Sequence, residues 1–211
     1  MNKVRFHYSK TGKAQYISHL DLMSVMQRAL LRAGIKLQYS EGFNPHPYLS
    51  VALPLSVGTE SSCELMDVGI IDDEIPDITT ISMPDGIKIL DIYKPKRKFN
   101  EIAWVEVIKE IQYNKAMPDD ILGRLKRCFS GDSIIISKRT KRGFKELDIS
   151  SHLKDVYFSL DDGIIMRAKI SAQNPALNCA DLDNAIEEEL KPDHTKMKRV
   201  GIYDTNMFAF K

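Results

Sequence analysis

Stretches of period-two alternation of apolar and polar residues recur along the chain, and a helical period near the start interrupts them. Residues 4–8, Val-Arg-Phe-His-Tyr, read as a strand with one buried face. Leu22, Met23, Met26, Leu30 and Ala33 then recur at helical spacing. Ser18 is a good N-cap for that helix. Asp21, three residues on, sits where a carboxylate meets the positive end of the helix dipole, and Gly34 supplies the stop. Ile35 to Ser40 alternates as a second strand, and Leu49 to Leu53 forms a third apolar run. Between them lies Glu41-Gly42-Phe43-Asn44-Pro45-His46-Pro47, whose prolines fix two φ angles and drive Asn44 and His46 towards extended backbone. A loop this stiff is suited to presenting side chains.

Cys63 to Ile71 reads as a strand, Asp77 to Met83 as a short helix, and Ile87 to Tyr93 as a closing strand. The order is β-α-β-β-α-β, and the rest of the chain repeats it without visible sequence repetition. Ile102 to Ile111 is a strand holding the only tryptophan, Trp104. Pro118 to Phe129 reads as a helix, Ser133 to Ser137 as a strand, and Lys138 to Lys145 as a basic loop or hairpin tip. Val156 to Leu160 and Gly163 to Ile170 flank the turn Asp161-Asp162-Gly163. Asp181 to Leu190 is a predicted helix and Arg199 to Tyr203 a short last strand. The expected fold class is α+β: two tandem ferredoxin-like (β-α-β-β-α-β) domains with antiparallel sheets. Residues 1–93 and 100–211 form these domains, joined by a basic linker at 94–99. One larger sheet sharing strands across that boundary is the alternative.

Composition narrows the class of protein. The chain has 211 residues, 43% hydrophobic and 28% charged, as in soluble globular domains. No run of about 18 apolar residues occurs, which excludes a membrane helix, and the N-terminus lacks a secretory apolar segment. A cytoplasmic location is expected. Cys63, Cys128 and Cys179 are far apart and match neither a disulfide framework nor a metal or iron–sulfur spacing. The motifs GxxxxGK[ST], GxGxxG and GxSxG are absent, so P-loop, Rossmann and α/β-hydrolase chemistry lose support. No cofactor and no metal are expected.

The net charge of +1 conceals an asymmetry that redirects attention to the second half. Residues 1–93 carry 8 Lys and Arg against 11 Asp and Glu, whereas residues 94–211 carry 22 against 18. The densest basic run is Lys138, Arg139, Lys141, Arg142 and Lys145, with Phe144 among them. Cations beside an aromatic suit phosphate neutralisation with base stacking. Arg124 and Arg127 on the preceding helix extend the run. RNA is the expected partner, because no helix-turn-helix or zinc-finger pattern points to duplex DNA.

Ser18, His19, Asp21, Glu41, Phe43, Asn44 and His46 form a second group, a candidate specific surface. Were they to converge, His19 or His46 would be candidate acid/base residues. Helix capping and loop rigidity account for the same residues without chemistry.

The blocks RFHYSKTGKAQYISHLDLM and YSEGFNPHPYLSVALPLSVGTES, with KRTKRGFKELDIS and the terminal KRVGIYD, resemble the radical-SAM-linked protein family. That is a bacterial family of unassigned activity, fused to or encoded beside a radical-SAM protein. The resemblance spans nearly the whole chain and implies a radical-SAM partner that itself holds the cluster and SAM. A weaker likeness, in fold and in the SHLD-helix-GF arrangement, is to the CRISPR repeat-processing RNA endonucleases. It carries over no catalytic residue. Three functions follow as expectations. The first is a non-catalytic RNA-binding accessory to a radical-SAM enzyme in RNA modification or processing. The second is a metal-independent RNA endonuclease using His19 or His46. The third is an adaptor docking a partner through the GFNPHP loop.

Overall fold

Strand β1 (Asn2–Lys10) places Val4, Phe6 and Tyr8 at 1% exposure or less. Burial that complete needs neighbours on both edges. β3 (Thr59–Ile70) and β4 (Ile87–Tyr93) flank β1 and run antiparallel to it, and short β2 (Leu49–Val51) extends the sheet beyond β3. The lateral order is β4-β1-β3-β2. Helix α1 (His19–Arg32) lays Leu22, Met26, Ala29 and Leu30 into the same core as Val4, Phe6, Met66, Val68 and Ile89. Each buried Leu, Met, Val, Ile or Phe among them contributes about 1.5–3 kcal/mol by leaving water.

The computed structural model describes residues 2–114, 119–140, 143–161 and 163–211. The chain divides into two compact units, one running to Glu101 and taking in Lys211, the other Ile102–Phe210. In the second unit, β5 (Trp104–Gln112) lies between β9 (Gly163–Ser171) and β10 (His194–Tyr203), and β8 (Leu153–Asp161) pairs with the outer edge of β9. Each of these pairings is antiparallel. A separate two-stranded hairpin is made by β6 (Ile135–Thr140) and β7 (Gly143–Asp148). Helices α2 (Ile121–Cys128) and α3 (Cys179–Asn184) complete this unit.

The fold is thus mixed α+β, strand-rich, with antiparallel sheets and few helices. Leaving the hairpin aside, both units lay their strands in the sequence order 4-1-3-2. Several expected elements differ from those observed. The helix expected over Asp77–Met83 is one 3-10 turn, Ile78–Thr80, started by Asp77 accepting from the Thr79 amide. The strand expected over Ile35–Ser40 forms only isolated bridges, Leu37 to Ile70 and Tyr39 to Pro47. The helix expected over Asp181–Leu190 starts earlier, because Asn178 and Asp181 close a capping box, and is shorter, ending at Asn184. The residues expected as a linker, 94–99, belong to the first unit, where Arg5 holds them. Among the described residues no helix is long and apolar enough to cross a membrane.

Candidate nucleic-acid interface

The two hairpin strands alternate their side chains, so pairing register decides which residues share a face. Lys138 lies opposite Lys145, and Arg139 lies opposite Phe144. Ile136, on the Lys138 side, is 1% exposed and fixes that face against the body of the unit. Arg139 and Phe144 therefore face solvent together, with Phe144 76% exposed. A guanidinium opposite an open aromatic ring offers a phosphate contact and a stacking platform on one face. Lys145 is also exposed. Lys141 and Arg142 fall outside the described residues.

Asp148 anchors the base of this hairpin. Its carboxylate accepts from the backbone N–H groups of Ile134 (3.0 Å) and Ser150 (2.9 Å) and from the Ser133 hydroxyl (2.8 Å). The Ser150 amide contributes most, followed by the Ile134 amide and the two hydroxyls. Together they hold its pKa far below the usual carboxylate range. Asp148 thus holds the hairpin at its base.

Two expected phosphate contacts are occupied otherwise. Lys138 Nζ donates to the Asp181 carboxylate at 2.6 Å and to the Ala176 carbonyl at 2.7 Å, and Asp181 is nearly buried. Arg124 reaches Glu189 at 3.2 Å and Glu187 at 3.7 Å, tying α2 to the segment before the last strand. Lys138, neutralised by a desolvated carboxylate, is a structural pin and does not belong with the open basic surface, whereas the carboxylates that Arg124 meets are exposed and constrain it little. Arg127 faces Asp120 at 3.5 Å with both side chains exposed, a pairing that constrains it little.

The second group is only partly assembled. Ser18 accepts from the Asp21 amide (3.1 Å) and donates to the Asp21 carboxylate (2.7 Å), so both cap α1. At the other end the Gly34 amide bonds Leu31 O and the Ile35 amide bonds Leu30 O. This is a Schellman stop, which requires the positive φ of 76° that Gly34 supplies. His19 is exposed on the first turn. Glu41 to Pro45 form the exposed tip of a narrow backbone ladder: the Ser40 amide bonds His46 O, the His46 amide bonds Ser40 Oγ, and the Tyr48 amide bonds Gln38 O. Phe43 projects from that tip, fully exposed. Among the described residues no three His, Cys, Asp or Glu side chains come together as a metal site.

Arg5 is a residue that sequence reasoning passes over. It is completely buried, yet its guanidinium forks onto Asp67 (2.7 and 3.1 Å), donates to the Arg97 carbonyl (2.8 Å) and stacks 4.2 Å over Phe99. These contacts fix the basic stretch 94–99 in place and frame a cleft of about 550 Å³. A charge on a strand whose neighbours are all core residues is the signal that could have found it.

A family model described as "Uncharacterized protein conserved in bacteria (DUF2344)" matches residues 3–180. No curated protein matches the sequence. Among solved structures, a chain in the crystal structure of a Cbf5-Nop10-Gar1 complex superposes with a TM-score of 0.56 at 11% identity. The match covers 93% of this chain and 47% of that one, so this chain spans about half the length of its structural neighbour. At that identity the likeness concerns the fold alone.

Proposed function

The chain belongs to the bacterial family DUF2344, and from that premise we propose that it binds single-stranded RNA through the open face of the β6–β7 hairpin. One observation carries this: Arg139 and Phe144 are cross-strand partners on an exposed face. Arg139 neutralises a phosphate while Phe144 stacks a base. The Ser18 and Asp21 side chains are spent capping α1, which favours a binding protein over a nuclease that draws on them. Anisotropy titration of a labelled single-stranded RNA tests it. Saturable binding that weakens with salt and is abolished in Arg139→Glu/Phe144→Ala supports the proposal. Equal binding by the parent and that variant overturns it.

The exposed Phe43 tip favours a second role for the same chain, docking a protein partner. The resemblance of the SHLDLM and EGFNPHP blocks to radical-SAM-linked proteins supports a radical-SAM enzyme as that partner, for which this chain holds the RNA. We also read each unit as a variant of the ferredoxin-like arrangement, supported by the shared 4-1-3-2 strand order.

A further inference from the structure

We propose that the cleft framed by β1 and the stretch Lys94 to Phe99 binds a nucleoside phosphate. The proposal stands on the first unit alone and does not rest on the hairpin. Lys3, Lys94, Lys96, Arg97 and Lys98 all line the cleft, against a single carboxylate, Asp67. Three of these cations face carboxylates: Lys94 meets Asp73 at 2.8 Å, Arg97 meets Glu101 at 3.1 Å, and Lys3 lies 3.8 Å from Asp67. Asp67 is already neutralised by buried Arg5. Lys96 and Lys98 have no carboxylate within ion-pair distance among the described residues, so the cleft keeps an excess of positive charge. An anion entering it gains two ammonium partners in a concave site lined mostly by one sign of charge, which concentrates counter-ions.

Shape and the remaining walls narrow the anion. A cleft of about 550 Å³ is larger than a lone phosphate needs and lies in the range of small-ligand sites. The Ser50 hydroxyl and the Asn2 amide supply neutral donors and acceptors for sugar hydroxyls, and Phe99 adds an apolar wall. Preorganisation comes from below. Arg5 holds the Arg97 carbonyl and the Phe99 ring, so the cationic stretch is already ordered before a ligand arrives. Phosphate at Lys96 and Lys98, with the sugar at Ser50 and Asn2, is the arrangement these walls fit.

The test uses the whole chain and isothermal titration with AMP, adenosine and inorganic pyrophosphate. AMP is expected to bind saturably and at least about tenfold more tightly than adenosine, with pyrophosphate competing. Lys96→Ala/Lys98→Ala weakens AMP about tenfold without shifting the thermal midpoint, since both side chains are exposed, and Arg139→Glu leaves AMP binding unchanged. Competition by a 5′-phosphorylated but not a 5′-hydroxyl RNA assigns the ligand to an RNA end. Competition by neither assigns it to a free nucleotide, and both outcomes support the site. AMP and adenosine binding alike, or the double variant binding AMP as the parent does, overturns it.

Discussion

The Lys138 ammonium lies 2.6 Å from the Asp181 carboxylate, one side chain mostly and the other almost wholly removed from solvent. Asp181 is also the capping-box residue of α3, so the pair locks the hairpin to that helix. Lys138→Ala is expected to lower stability by about 2 kcal/mol, because it leaves a desolvated carboxylate unpaired. Arg139→Ala, one residue on and facing solvent, stays within about 0.5 kcal/mol of the parent. Urea unfolding of both variants checks this, and equal destabilisation would contradict it.

Arg5 and Asp67 form the corresponding pair in the first unit. Asp67→Ala leaves the buried guanidinium without its fork and is expected to cost about 3 kcal/mol. Arg5→Met also releases the Arg97 carbonyl and the Phe99 ring. Thermal unfolding measures the destabilisation. Enhanced proteolysis at Lys94 to Lys98 in Arg5→Met shows that the basic stretch is held by this contact.

Asp148 gives the hairpin a pH dependence of definite sign. Its pKa is depressed in the folded state by the Ser150 amide first and the Ile134 amide next. Its contribution is therefore present above the ordinary carboxylate pKa of about 3.9 and is lost as pH falls from there towards the folded value. Asp148→Asn is expected to be less stable than the parent near neutral pH, with the gap narrowing in acid. Unfolding midpoints across that range measure it; a gap that widens in acid would contradict the assignment.

The alternative of RNA cleavage has its own outcome. His19 and His46 are exposed, and the hydrogen bonds of His46 are made by its backbone. Incubation with structured RNA is expected to give no cleavage that disappears in His19→Ala or His46→Ala. Such cleavage would instead establish the histidines as acid/base residues.

Local signals read true where the backbone itself consumes them. Ser18, Asp21 and Gly34 mark the ends of α1 correctly, because caps are short-range hydrogen bonds. The alternation of Val4 to Tyr8 likewise locates β1. Partners far along the chain leave no such local mark. Lys138 and Arg139 are neighbours of the same kind in sequence, and only register and Asp181, 43 residues away, separate a structural pin from an open cation. The stretch 94–99 reads as a linker because it is basic and holds a proline. Its hold on the fold depends on Arg5, 92 residues from Arg97. Asp77 to Met83 fails as a helix because β-branched Ile78, Thr79, Thr80 and Ile81 resist it.

The most direct test of the binding proposal is the salt dependence of single-stranded RNA affinity for the parent, Arg139→Ala and Phe144→Ala. Removing one phosphate-neutralising cation reduces the slope of log K against log salt by about 0.7. Arg139→Ala is expected to flatten the slope by about that amount, whereas Phe144→Ala weakens binding by about 1–3 kcal/mol at an unchanged slope. Affinity and slope identical in all three proteins would contradict an RNA interface on this face of the hairpin.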